Sequence, residues 1–433
     1  MGIMKTIKIH INRLGAVRNS VVELKPLMIF SGESGVGKSY VAILVHYFYK
    51  ILADNKLQEF FSARGWDYDT LVSKNPAEAS FSFTTPMLLD WITEGAKTYM
   101  RESLGNPDME VDVTFEIPIS RNFYTFSYRT VQIDFEGKAE TIRVFELGEL
   151  NMRIDRDAKS IGSLPWSLLM QAALRNDLFE GIPLDQSFAM VPGRGALLTL
   201  PVTMQERIRN NGDIYSEFLT DWSVVQSMRP QKNTDRHLLE RLSYINGGSI
   251  DIDDNDRVIY RMLDGLPLPI AAAASSIKEL APLYILLDKY PSSHLSILFE
   301  EPEAHLHPQM QVNIADFVVS AVSHGMHLQI TTHSDYFLRR LNDRIFLQKI
   351  QSLDAKRYAE TLSKYGYTDL TLDSSQIGAY LLRREEDGSV KVVPQELDKG
   401  IPYESFYNVI KKESSHSLDI QQTYYKLQSE KDA

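Results

Sequence analysis

Polar and apolar residues alternate over residues 6–12 and 20–24, the period of strands with one buried face. Residues 26–30 form an unbroken apolar run that stops at Ser31 and Gly32, which predicts a strand buried on both faces. A 3.6-residue period over residues 39–52 predicts a helix. Residues 57–105 read as mostly helical, with turns at Lys74–Pro76 and Gly105–Pro107. Residues 110–117, 123–128 and 131–135 alternate again and predict an antiparallel meander that turns at Glu136 and Gly137. Residues 164–174 predict a helix capped by Ser163 with Pro165 in its first turn, and 188–191 a short strand that Pro192–Arg194 breaks.

Residues 203–241 are helical in period and rich in charge. After a linker through Asn246, Gly247 and Gly248, residues 258–263 and 266–270 read as a hairpin around Asp264 and Gly265. Residues 276–287 predict a helix with a serine at its cap. The last third alternates strand (295–299), helix (308–323), strand (327–331) and helix (335–341), the order of a parallel α/β sheet. No internal repeat is visible and no heptad pattern survives three heptads, so a long coiled coil is not expected.

Three segments carry chemistry. Gly32-Glu33-Ser34-Gly35-Val36-Gly37-Lys38-Ser39 fits the phosphate loop GxxxxGK(S/T), and it lies between a buried strand and a helix, as its mechanism requires. Glycines let the backbone curl so that its N–H groups surround a phosphate, and the helix N-terminus adds positive potential. Lys38 would neutralise the β- and γ-phosphates, Ser39 would ligate Mg²⁺, and Tyr40 extends the binding set by one residue. In Ile297-Leu298-Phe299-Glu300-Glu301-Pro302-Glu303 an apolar strand ends in two acids, whose side chains leave on opposite faces. Glu300 is expected to hold the metal and Glu301 to act as general base. Thr332-His333-Ser334 follows the next parallel strand, where open α/β sheets bind ligands, so His333 is placed to meet a γ-phosphate. His305 and His307 are read as shaping the intervening loop, because no third metal ligand stands at suitable spacing.

Composition narrows the setting. The 433 residues are 43% hydrophobic and 24% charged, which excludes wholesale disorder and leaves room for two or three domains, or one large domain with insertions. There is no apolar run long enough to span a membrane, and residues 1–10 lack a signal-peptide core. Cysteine is absent, which removes disulfides, thiolate metal sites and cysteine nucleophiles, and a cytoplasmic location is expected. Acids outnumber Lys and Arg by 57 to 46, a net charge of −11, so DNA is a disfavoured partner that a local basic patch would still permit.

The order of the phosphate loop, Glu300-Glu301-Pro302-Glu303-Ala304-His305-Leu306-His307-Pro308 and Thr332-His333-Ser334 resembles the ABC-type ATPases, and within them the RecF, SMC and OLD branch. The resemblance covers residues 1–50 and 255–410 well and the middle loosely. It implies an α/β fold: a P-loop ATPase head with a mixed central sheet, an antiparallel meander and an inserted helical subdomain. The head would comprise residues 1–150, with a helical insertion over about 55–108, and residues 255–410. An inserted mostly helical region would fill 151–254, and 411–433 would be a tail.

The resemblance further implies ATP and Mg²⁺ as ligands and a head-to-head dimer or higher homo-oligomer that sandwiches ATP. Ala274-Ser275-Ser276-Ile277-Lys278-Glu279-Leu280 resembles the signature segment given to the partner's site, with Ser275 and Ser276 as contacts, although it lacks the Gly-Gly core of transporter signatures. Ser276 and Glu279 also fit a helix-capping box, and both readings can hold. Ala189-Met190-Val191-Pro192-Gly193-Arg194 resembles an element of OLD-like ATPases, which makes Arg194 a candidate phosphate or interface contact. Glu300 stands where the broader family has aspartate. About a hundred residues follow His333 without an acidic metal cluster, so a Toprim-type nuclease is expected on another chain. The expected role is that of a regulatory ATPase holding such an effector in anti-phage defence, of which the PARIS type is the nearest resemblance. A RecF- or SMC-like DNA repair ATPase is the alternative.

Overall fold

The computed structural model describes residues 3–54, 56–70, 78–135, 138–155, 161–231 and 234–431. Its centre is a nine-stranded mixed sheet in the spatial order Gln186–Met190, Leu295–Glu300, His327–Thr331, Leu27–Gly32, Ile377–Arg384, Val390–Pro394, Val17–Glu23, Lys8–Leu14, Val111–Glu116. The first five strands are parallel. Every residue of Leu27–Gly32, Leu295–Glu300 and His327–Thr331 is buried, as the unbroken apolar runs require of strands covered on both faces. Helix Lys38–Ala53 lies across this half of the sheet, and all but a few of its side chains are buried. The parallel register aligns Glu300 with Thr331 and Thr331 with Phe30, so the acid-pair, histidine and phosphate-loop strands end together on one edge. With neighbouring strands about 4.8 Å apart, the histidine strand fills the gap between the other two. This is a mixed α/β fold in which the GxxxxGKS loop joins a buried parallel strand to a helix.

A four-stranded antiparallel meander, Glu78–Thr84, Phe123–Phe135, Lys138–Leu147 and Leu150–Asp155, stands beside the sheet. It packs through aromatic rings, Trp66 stacking on Phe81 at 4.2 Å and Phe145 meeting Trp166 edge-on at 4.7 Å. The membership of this meander corrects three expectations. Glu78–Thr84 is a strand inside the stretch read as helical; its alternation around Phe81 and Phe83 is too short to override the helical period on either side. Residues 110–117 supply Val111–Glu116, which pairs with Lys8–Leu14 at the edge of the central sheet, because alternation encodes a buried face and not a partner. Residues 123–128 and 131–135 are one continuous strand. The turns expected at Lys74–Pro76 and at Glu136 and Gly137 lie outside the described residues, the latter between ends that pair Phe135 with Lys138.

Part of the 151–254 segment builds sheet as well as helices. Gln186–Met190 is the edge strand next to the acid pair, and Leu150–Asp155 closes the meander across residue 150. The rest forms helices including Leu164–Leu178, Ile214–Ser227 and Arg236–Asn246. The hairpin around Gly265 gains a third strand, Gly248–Ile252. Helix Glu404–Lys431 runs through the expected tail, and its residues 411–428 are exposed.

Buried charge ties the phosphate-loop helix to its neighbours. Glu217, on Ile214–Ser227, accepts from Tyr99 at 2.9 Å and meets His46 Nε2 at 2.8 Å and Lys50 Nζ at 3.1 Å. Burial pushes its carboxyl upward, but Lys50, His46 and Tyr99 together hold it down at about 2.

Candidate nucleotide site

Two glycines set the loop. The α-carbon of Gly32 faces the Leu382 carbonyl so closely that a Cβ would fall 2.4 Å from its oxygen, and Gly37 enters the helix with φ of 89°. Val36 anchors the loop in the core, while Glu33, Ser34 and Gly35 stay exposed. Lys38 turns back over the loop and donates to the Gly32 carbonyl at 3.1 Å and the Glu33 carbonyl at 2.7 Å. Burial lowers its pKa to about 8 against the upward pull of Glu301, Glu303 and Glu300.

Glu300, 2% exposed, accepts a hydrogen bond from the Ser39 hydroxyl across 261 positions of sequence. Burial is the main cause that pushes its carboxyl up to about 7, with Ser39's hydrogen bond opposing and Glu301's charge adding. The hydroxyl and carboxylate thus share one spot, two hard oxygens suited to Mg²⁺, which takes one or two protein oxygens and fills its octahedron with phosphate and water. No cluster of three metal-binding side chains occurs among the described residues. Bound there, Mg²⁺ would neutralise charge between the β- and γ-phosphates.

Glu301 takes a left-handed φ of 45°, held by its N–H donating to the Thr331 carbonyl at 3.0 Å. That conformation is costly for a residue with a side chain and turns the carboxylate into the cleft beside Lys38. His333 lines the same cleft; burial first, then the Lys38 charge, lowers its pKa, so it is neutral at pH 7 and offers one ring N–H. Ser34, Gly35, Gly37 and Ser39 complete the phosphate end of this cleft of about 500 Å³, and Tyr40 lines it beyond them. Replacing His333 by Ala is expected to lower turnover about tenfold or more, the cost of one donor to transition-state charge, while nucleotide affinity changes little; Michaelis parameters read the split.

Glu303 is a site residue for which the sequence reading assigned no role. Its buried carboxylate accepts from the Thr332 hydroxyl at 2.7 Å and the His333 N–H at 2.6 Å, tying the acid-pair turn to the histidine turn. Its repetition of the acid three residues after Glu300 was the available signal. His307 caps helix Pro308–Ser323 by accepting from Gln309 at 3.3 Å, and His305 occupies a left-handed turn, so both serve the loop.

Two expectations change. Arg194 is fully buried and does not line the cleft. It donates to the carbonyls of Glu279 (2.7 Å), Val191 (3.0 Å) and Glu300 (2.9 Å), lies 3.6 Å from the Glu279 carboxylate and covers the Phe299 ring. It braces the back of the acid-pair strand. Removing it as Arg194→Ala leaves carbonyls and a carboxylate unpaired, and a loss of about 3–5 kcal/mol in urea unfolding is expected. The Ser276–Glu279 capping box is not formed: the cap of helix Ser275–Lys289 is Ala274, and Glu279 instead accepts from the Gly195 N–H at 3.3 Å. Ser275 is exposed and Ser276 half-buried at a helix start away from their own chain's cleft.

Residues 203–338 match the AAA ATPase domain family. The match spans the acid pair and His333 and stops short of the phosphate loop, which the structure itself brings to them. No curated protein matches the chain in sequence. Among solved structures it is similar to an SMC head bound to the C-winged helix domain of ScpA, at 13% identity and a TM-score of 0.38 over 92% of this chain and 98% of that one. It is similar to the SMC head of Thermotoga maritima at 10% identity and 0.34, over 91% and 100%. A Pyrococcus furiosus SMC head with extended coiled coil, bound to the C-terminal domain of ScpA, gives 11% and 0.37, over 95% and 100%. No helix among the described residues is long and apolar enough to cross a membrane.

Proposed function

We propose that this chain is a Mg²⁺-dependent ATPase that pairs head to head and uses ATP turnover to control a separate effector, a Toprim-type nuclease, in anti-phage defence of the PARIS type. The observation that carries the enzymatic part is the meeting of Lys38 and Ser39 with Glu300, Glu301 and His333 on one edge of the sheet. Lys38 and the loop N–H groups hold the phosphates. Glu301 takes the proton of a water that attacks the γ-phosphorus as the bond to the ADP oxygen breaks, and His333 donates to the transferred phosphoryl oxygens. Positioning and fixed charge supply the rate.

Exposed Ser275 and half-buried Ser276 at the start of helix Ser275–Lys289 support the pairing. A helix N-terminus with free hydroxyls suits the γ-phosphate of a nucleotide held by a second copy, and hydrolysis would remove that bridge. The net charge of −11 favours a protein partner over duplex DNA. The test measures phosphate release with and without duplex DNA, together with co-expression of the product of the neighbouring gene. Mg²⁺-dependent release indifferent to DNA, with a stable complex, supports the reading. DNA-stimulated, salt-sensitive hydrolysis would favour the RecF- or SMC-like repair role, and failure to take up ATP with Mg²⁺ would overturn both.

A further inference from the structure

The cleft does not end at the phosphates. Past Ser39 it is lined by Gly15 and Ala16, from the corner between strands Lys8–Leu14 and Val17–Glu23, by Tyr40, and by Asn106 and Met109 after helix Thr85–Ser103. Lys38, Glu301 and His333 mark the opposite end, so a nucleotide laid along the loop carries its base to this one. A Cβ on Gly15 would stand 3.0 Å from the Tyr40 ring and 3.2 Å from the Met109 methyl, so ring and methyl close over one patch of backbone. Such a surface accepts the flat face of an aromatic base.

Asn106 stands exposed at the rim with its backbone pinned. Its N–H donates to the Arg101 carbonyl at 2.9 Å, its carbonyl accepts from Met109 at 3.2 Å, and Arg101 Nε holds the Met109 carbonyl at 3.0 Å. Its carboxamide makes no hydrogen bond among the described residues. A carboxamide presents one donor beside one acceptor. Adenine offers the complement, an amino group beside a ring nitrogen, whereas guanine offers two acceptors there and leaves the amide oxygen facing an oxygen.

Resting on the reading of this cleft as a nucleotide site, we propose that Asn106 reads the base and selects adenine over guanine nucleotides. Calorimetry on the full chain with ATP, GTP and inorganic tripolyphosphate, on wild type and Asn106→Ala, tests it. Wild type should prefer ATP by about tenfold or more, the worth of one bidentate contact. In the variant that ratio should fall to about one through lost ATP affinity, while tripolyphosphate binds both proteins equally, which also shows the fold intact. An unchanged ATP-to-GTP ratio with normal tripolyphosphate binding overturns the role of Asn106 and leaves the phosphate site standing. Wild type that binds neither ATP nor tripolyphosphate overturns the nucleotide site, and this inference with it.

Discussion

Glu301→Gln is expected to lower ATP turnover about 100- to 10,000-fold, the range for loss of a general base, while leaving nucleotide affinity equal or tighter. Glutamine matches the side chain in size, and the strained backbone at this position is held by the Thr331 carbonyl, so the local fold does not depend on the carboxylate. What is lost is the proton acceptor facing the attacking water and one negative charge beside the γ-phosphate. The first removes catalysis; the second removes a repulsion in the bound state. Because bound ATP then persists, the paired form should accumulate in sedimentation with ATP and Mg²⁺, whereas wild type cycles back to single heads. Single-turnover phosphate release and sedimentation on the same samples check both halves. Wild-type turnover in the variant would refute the assignment of Glu301.

How far such residues could be foreseen depends on how local their signals are. The phosphate loop is legible because eight consecutive residues carry its whole mechanism. Glu300 and Glu301 are legible because acids abruptly end an apolar strand. The hydrogen bond from Ser39 to Glu300 is not written in either segment; it follows from sheet order, which places the histidine strand between them. Arg194 follows Pro-Gly, a turn that reads as surface, and only the tertiary gathering of three carbonyls makes it a buried brace. Glu279 looks like a capping residue by spacing, yet a buried arginine and an approaching glycine outcompete the helix end for its carboxylate. Asn106 and Met109 sit in a turn far in sequence from any motif, and they reach the cleft only because helix Thr85–Ser103 delivers them there. Short-range pattern therefore locates the residues gathered at the cleft well and their supports poorly, since supports act through contacts that the fold alone creates.

Lys38→Ala is expected to cost about 2–5 kcal/mol of ATP binding, the usual penalty for truncating one partner of a buried charge contact, or roughly 30- to 5,000-fold in Kd. The loss exceeds that of one hydrogen bond because Glu300, Glu301 and Glu303 would then face the triphosphate without the ammonium between them. Folding should not suffer. Lys38 has a pKa of about 8 in the folded chain, below its ordinary 10.5, so the fold penalises the charged form. That penalty is fully present below pH 8 and is relieved as pH rises from 8 towards 10.5. Alanine removes it, and the thermal midpoint at pH 7 should hold or rise while calorimetry finds ATP binding weakened by that factor. The same linkage fixes the wild-type pH profile. A bound triphosphate raises the pKa of Lys38, so binding above pH 8 takes up a proton and affinity falls with increasing pH, while below pH 8 this residue contributes a flat profile. Glu301→Gln removes the leading charge that holds the ammonium up, and it should move the onset of this alkaline decline to lower pH. Proton uptake measured in buffers of different ionisation enthalpy at pH 8.5 reads it directly: uptake in wild type and none in Lys38→Ala is the expected pair of results, and equal uptake in both would remove Lys38 from the phosphate site.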